Sequence, residues 1–228
     1  MSTLVIAEIS DTDATVLSRT TRQVVTAAQH WGQTIDLLLI GKADAAAHAQ
    51  IGGVRRVLHA DAEHLTQPTA EDVTRLLEAL ADQYTVIVAA HTSLARNALP
   101  RFAARRNVGM ISEAVALVGP RTYQRPIYAG NLLATVENAD GLQVLTLRAS
   151  RFVPAELGGA AEVQDIDAPA ADRRSRVIGR RRGGPGCAAE RPPRSRRSAR
   201  PALRGAVQPA RLPRLCGGAQ GLSARPVR

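Results

Sequence analysis

Apolar residues recur along the first 150 positions in two rhythms. Continuous runs at Leu4–Ile9, Ile35–Ile40, Val54–His59 and Thr85–Ala90 predict short strands buried on both faces, as in a parallel sheet. Between them the spacing turns helical. Leu17, Val24, Ala28 and Trp31 share a face until Gly32 stops the helix, and Asp11-Thr12-Asp13 offers cap residues ahead of it. Ala43–Ile51 predicts a short Ala-rich helix closed by Gly52-Gly53. Val73, Leu76, Leu77, Leu80 and Tyr84 form the inner stripe of another, with Thr69 as its cap and Asp72 completing a capping box. A further helix is expected near Ser93–Arg106, where Pro100 implies a late start or a kink.

Ser112–Val118 predicts one more strand, and Arg121–Arg148 reads as three: Tyr123–Tyr128, Leu132–Glu137 and Gln143–Arg148. Ala129-Gly130-Asn131 breaks the first two. Asn138-Ala139-Asp140-Gly141 is expected to join the second and third in a tight hairpin, because Asp-Gly tolerates positive φ. The order β-α-β-α-β-α-β-α predicts an α/β fold: a parallel sheet with helices on both faces and a small antiparallel sheet at one edge. Ligands in such sheets sit at the carboxyl ends of strands. Here those ends carry Glu8–Ser10, Gly41-Lys42 and Ala90-His91-Thr92-Ser93.

Composition divides the chain. Residues 1–153 carry the periodic pattern and are expected to form one α/β domain. Residues 154–172, rich in Ala, Gly and acids, read as a linker. Residues 173–228 hold 16 Arg and one Glu with no Lys or Asp, so the chain's formal charge of +10 leaves residues 1–172 at −5. Pro and Gly make up 15 of those last 56 residues, and no window shows a period of 2 or 3.6. Too little apolar surface is available there to offset the entropy of ordering, so disorder is expected. Both cysteines, Cys187 and Cys216, lie in that basic segment. The thiol-free body fits a reducing cytoplasm. No apolar run approaches the ~18 residues needed to cross a bilayer, and Glu8 interrupts the N-terminal run, so a membrane span and a signal peptide are not expected.

Candidate chemistry is sparse. Neither G-x-G-x-x-G nor G-x-x-x-x-G-K-[ST] occurs. His59-Ala60-Asp61-Ala62-Glu63-His64 holds two His and two acids that could bind a metal. The plainer reading is a polar loop with Asp61 as a cap, since no spacing is diagnostic. Glu8, Asp11 and Asp13 read as capping rather than ligand residues, and His91-Thr92-Ser93 as a capping loop placed where a ligand could sit. No Ser/His/acid set is identifiable, and no catalytic, cofactor-binding or metal-ligating residue is assigned. The basic segment has the charge of a nucleic-acid binder but lacks aromatics for stacking. We read it as out-of-frame text from a GC-rich gene, with a basic arm as the alternative.

Residues 1–172 resemble the N-terminal domain of the electron-transfer flavoprotein alpha subunit. The resemblance rests on L-V-I-A-E at Leu4–Glu8, V-R-R-V-L-H-A-D-A-E-H-L at Val54–Leu65, I-S-E-A-V at Ile111–Val115 and R-P-I-Y-A-G-N-L-L-A-T-V at Arg125–Val136. Arg148 and Phe152 also match, whereas Arg151 stands where the family has small residues. The resemblance implies a Rossmann-like sheet of the adenine-nucleotide-hydrolase type and an electron carrier rather than an enzyme. It implies pairing with a beta subunit around one FAD. In the family that flavin takes electrons from acyl-CoA and other dehydrogenases of fatty acid beta-oxidation and passes them to a membrane quinone oxidoreductase. The family's FAD grip lies in a second domain, expected from about residue 175, with a Gly-rich strand-to-helix turn and a G-I-S-G-A-I-Q-H-like segment. Neither stands in residues 173–228, so the expectation is a truncated, FAD-deficient alpha subunit. Arg125, Tyr128 and Asn131, the best-matched residues, are expected to be architectural. The alternatives are a docking module without flavin, an adenine-nucleotide-binding module, and nucleic-acid binding through the basic segment.

Overall fold

A computed structural model describes residues 2–8, 17–175 and 177. The expectations for Asp11, Asp13 and Ile9, and most of that for 173–228, fall outside these residues. Strand β1 (Ser2–Ile6) leads to helix α1 (Arg19–Ala28), β2 (Thr34–Ile40), α2 (Ala45–Ala49), β3 (Val54–Ala60), α3 (Ala70–Leu80), β4 (Val86–Ala90) and α4 (Ser93–Arg106). There follow β5 (Met110–Ala114), β6 (Ala116–Leu117), β7 (Thr122–Ile127), β8 (Leu132–Glu137), β9 (Gln143–Leu147) and β10 (Glu162–Asp165). Seven strands form one parallel sheet in the order β10-β3-β2-β1-β4-β9-β5, and β6-β7-β8 form a separate antiparallel sheet.

Period-2 alternation divides the core into two layers. Leu4, Ile6, Leu38 and Ile87 face α3 and α4, where Phe102 is fully buried. Val5, Leu37, Leu39 and Val88 face α1 and α2. The parallel α/β class with helices on both faces and a small antiparallel sheet is therefore as the apolar pattern predicts. Gly41 ends β2 at φ +80°, and a Cβ there would collide with the Leu65 carbonyl, so glycine is required. The predicted capping box is present: Thr69 Oγ1 accepts from the Asp72 amide at 3.2 Å, and Asp72 Oδ2 accepts from the Thr69 amide at 3.3 Å. Thr69→Ala is expected to cost about 1 kcal/mol, read as a lower urea midpoint at unchanged slope.

Four expectations need correction. First, Gln143–Leu147 does not close a hairpin with β8. It inserts between β4 and β5 in the parallel sheet, with all five residues buried. An apolar run buried on both faces belongs in a parallel interior, whereas β8 is half exposed and lies at an edge. Second, Ser112–Val118 is not one strand. Glu113 adopts φ +58°, the register with β9 shifts between Ile111 and Ala114, and β5 and β6 fall into different sheets. Third, of the two consequences expected at Pro100, a late start or a kink, the late start does not occur: α4 spans Ser93–Arg106 as expected and runs through Pro100. Fourth, α1 begins at Arg19 after Ser18, which makes no side-chain cap bond.

The segment expected as a linker lies along the body. Arg22 Nε donates to the Ala155 carbonyl at 2.7 Å, β10 pairs with β3, and the Asp172 amide donates to Asp72 Oδ1 at 2.8 Å.

Candidate functional site

The carboxyl ends of β4, β9 and β5 converge on a cleft of about 170 Å³ lined by Thr20, Ala90, His91, Thr92, Glu113, Leu147, Arg148 and Ala149. His91 stands there because β4 ends one residue earlier; its amide donates to the Leu147 carbonyl at 2.8 Å. Its Nδ1 lies 2.9 Å from Thr146 Oγ1, which also accepts from the Glu113 amide at 2.9 Å. Thr146 is fully buried, so its single hydroxyl proton is left for His91 Nδ1. With that proton donated to Nδ1, the other ring nitrogen, Nε2, lies 3.9 Å from Glu113 Oε2. Burial pushes the His91 imidazole below its ordinary value; Glu113 opposes this, and the guanidiniums of Arg96, Arg148 and Arg125 reinforce it.

Glu113 is the strained member. Its left-handed backbone turns the carboxylate toward Arg148, whose Nε and Nη2 donate to Oε1 at 3.2 and 2.6 Å. That pairing, helped by His91 and Arg96, holds the carboxyl below the usual carboxylate range against the effect of burial. Thr92 Oγ1 donates to Glu8 Oε2 at 2.9 Å, which ties the end of β1 to the start of α4. With Nδ1 engaged and the carboxylate ion-paired, the cluster holds a shape and is not set up as a base and nucleophile.

Of the sequence candidates, the structure brings His91, Thr92 and Glu8 together. His59 Nε2 donates to the Gly41 carbonyl at 3.0 Å, and Asp61 does not cap the following turn, whose N-cap is Ala62. Asp61 instead lines a second cavity of about 560 Å³ with His59, Asp165, Ile166 and Asp167. Among the described residues no group of three or more His, Cys, Asp or Glu is placed to hold a metal. No helix among the described residues is long and apolar enough to cross a membrane. Glu113, Thr146 and the Asp36 cluster, in which Arg55, Arg56 and Tyr84 meet one carboxylate, were not singled out from the sequence. The signal for the last was present: Asp36 is the one charge inside T-I-D-L-L-L-I.

The hairpin of β7 and β8 carries the other candidates. Arg125 Nη2 donates to Ser112 Oγ at 2.7 Å, while its buried Nε has no partner. Among the described residues Arg125 forms no ion pair. Tyr128 and Asn131 stand exposed at the tip. Gly130, at φ +91°, frees the turn as predicted.

Neither of these two cavities suits the flavin dinucleotide that the resemblance implies for the family. Pockets for ligands of drug size start near ~300 Å³, and the 170 Å³ cleft falls short of that, for an adenine nucleotide as well. The second cavity is large enough, but Asp61, Asp165 and Asp167 would face a negatively charged pyrophosphate.

A family model described as electron transfer flavoprotein domain matches residues 3–171. The chain is 39% identical over 184 residues to the electron transfer flavoprotein subunit alpha of Pseudomonas aeruginosa, covering 78% of this chain and 58% of the relative. It is 40% identical over 182 residues to the protein of that name from Bradyrhizobium diazoefficiens, covering 78% and 57%. It is 35% identical over 176 residues to the probable electron transfer flavoprotein subunit alpha, mitochondrial, of Caenorhabditis elegans, covering 75% and 52%. The chain thus spans a little over half the length of the curated relatives it matches.

Proposed function

The chain belongs to the electron transfer flavoprotein alpha-subunit family, and on that premise we propose that it serves as the scaffold half of a two-subunit electron carrier. In this reading it pairs with a beta subunit. The assembled carrier moves electrons from acyl-CoA and other dehydrogenases through FAD to a quinone oxidoreductase, in the cytoplasm. The single observation that carries the reading is the family match across residues 3–171, which is the α/β body itself. The chemistry of the flavin, when bound, is one- and two-electron transfer. The described residues take no part in gripping it and supply a rigid parallel sheet and a surface for assembly.

The test follows from the poor fit of FAD. Purified alone, these 228 residues are expected to show no flavin absorbance, with or without added FAD. Produced together with the beta subunit encoded in the same genome, they are expected to co-purify with it. A stoichiometric flavin held by the chain alone would refute the division of labour, and failure to co-purify would refute the pairing.

A further inference from the structure

We infer that the cleft at the ends of β4, β9 and β5 binds a compact oxyanion, of the size of inorganic phosphate or a short carboxylate, between the guanidiniums of Arg96 and Arg148. Such a site belongs to this chain alone, whether or not a second subunit joins it.

Hydrogen-bond donors outnumber acceptors there. A guanidinium carries five N–H donors. Glu113 takes those of Arg148 Nε and Nη2 on the single oxygen Oε1. The rest of the Arg148 fork meets no acceptor among the described residues, and its side chain is 45% exposed. Arg96, the fourth residue of α4, is exposed and pairs with no carboxylate among the described residues. Its charge nevertheless reaches the cleft: it adds to burial in lowering His91, and to Arg148 in lowering Glu113. It also stands against local preference. Helix starts favour acids, and the first turn of α4 carries none. Arg125 adds to the same effect on His91, while its Nη2 donates to the neutral Ser112 hydroxyl. Against three guanidiniums stand the carboxylates of Glu113 and Glu8, and Glu8 already accepts from Thr92 Oγ1 at 2.9 Å. Among these groups one positive charge is left over. A ligand that brings acceptors and negative charge completes the set, whereas a cation or a neutral donor does not.

Size narrows the class. A volume of about 170 Å³ is the share of only a few waters, at ~30 Å³ each. That admits a compact oxyanion. Ala90, Leu147 and Ala149 line part of the cleft with apolar surface, which weakens the competition of water for charged bonds. The backbone is shaped for a clamp. Glu113 holds φ +58° where the register of β5 shifts, and residues strained in this way cluster at ligand clamps. Its carboxylate fixes the Arg148 fork before a ligand arrives, so little ordering is left to be done on binding.

The experiment titrates the full chain with inorganic phosphate and, separately, with propionate, by calorimetry at low ionic strength. At least one of the two is expected to bind. Arg96→Gln, at an exposed position, is expected to leave the unfolding midpoint unchanged and to weaken that binding about tenfold, the loss of one charged hydrogen bond. Arg148→Gln is expected to weaken it at least as much. Arg106→Gln removes the same charge from the far end of α4, where Arg106 pairs with Asp82, and is expected to bind as the parent does. Heat from the arginines after residue 177 is common to the parent and the variants and cancels in the comparison. Phosphate binding that Arg96→Gln weakens, with propionate inert, identifies the ligand as a phosphate; the reverse identifies a carboxylate. If neither anion binds the parent, or if Arg96→Gln binds as tightly as the parent, the site is overturned. Equal weakening by Arg106→Gln would mean diffuse attraction to basic charge and overturns it as well. Should Arg148→Gln fail to fold, Arg96→Gln decides alone.

Discussion

Replacing Asp36 by Ala is expected to remove about 3 kcal/mol of stability at pH 7, toward the lower end of the ~3–5 kcal/mol seen when one partner of a buried pair is deleted. Asp36 is fully buried in β2, in a strand that is apolar on either side of it from Ile35 to Ile40. Its carboxylate accepts from Arg55 Nε and Nη2 at 2.9 and 2.7 Å, from Arg56 Nε at 2.9 Å and from the Tyr84 hydroxyl at 2.8 Å. Ala would strand that hydroxyl inside the core. The two arginines recover part of their hydration, since their side chains are 48% and 25% exposed, which is why the upper end is not reached. Burial alone would raise the Asp36 carboxyl; the hydrogen bonds from Arg55, Tyr84 and Arg56 outweigh it and hold the carboxyl below its usual range. Burial and the neighbouring carboxylate push the Tyr84 phenol up to about 12.

The sign of the pH dependence follows. A depressed folded pKa gives stability that is fully present above the unfolded value of about 3.9 and is lost as pH falls through the folded one. Parent and Asp36→Ala are therefore expected to differ by a constant amount from pH 5 to 8 and to converge below about pH 4. Asp72, Glu71 and Glu113 are also held low, but they titrate in both proteins and cancel in the difference. Urea unfolding at pH 7 and pH 3 reads the effect directly. A variant within 0.5 kcal/mol of the parent at pH 7, roughly the spread of neutral surface changes, would show that the cluster does not hold the strand.

How far the sequence could be read depended on how local each cause was. The apolar runs at β2 and β4, the stripe of α3 and the Thr69 box act within a few residues, and all could be placed from spacing. The destination of β9 could not. The turn chemistry at Asn138–Gly141 is real: Asn138 Oδ1 accepts from the Asp140 amide at 2.9 Å. It nevertheless sends the chain back under the body and not alongside β8. The informative mark was V-L-T-L, apolar on both faces, which a strand at an exposed edge would not need. The cleft was less legible still. Glu113 meets Arg148 across 35 positions and His91 meets Thr146 across 55, so no motif spacing encodes them. Its strand ends could be named in advance, but the strained Glu113 that shapes it could not.

Tyr123→Ala is expected to cost about 4 kcal/mol, within the ~3–5 kcal/mol range for deleting a large buried ring. Among the described residues Tyr123 is the largest fully buried side chain, and it ties the small sheet to the main one. It is the second residue of β7, packs at a tilt against Trp31 with ring centroids 6.4 Å apart, and its hydroxyl meets Gln143 Oε1 at the first residue of β9. The Pro120 carbonyl gathers Trp31 Nε1 at 3.1 Å, the Tyr123 hydroxyl at 3.2 Å and Gln143 Nε2 at 3.3 Å, so one loop joins the turn that follows α1, the small sheet and the main sheet. Removing the ring opens a cavity in that joint and frees the hairpin that carries Arg125 and Tyr128. Tyr123→Phe separates the two contributions: it keeps the volume and deletes only the hydroxyl, at about 1 kcal/mol for a buried acceptor left short of a donor. Hydrogen exchange tells local from global loss. In Tyr123→Phe the amides of β7 and β8 are expected to exchange faster while those of β1, β2 and β4 keep their protection, because Tyr123 is a main anchor of the small sheet on the body. Equal loss of protection in both sheets would mean that they unfold as one unit and that the hairpin has no hinge at Tyr123.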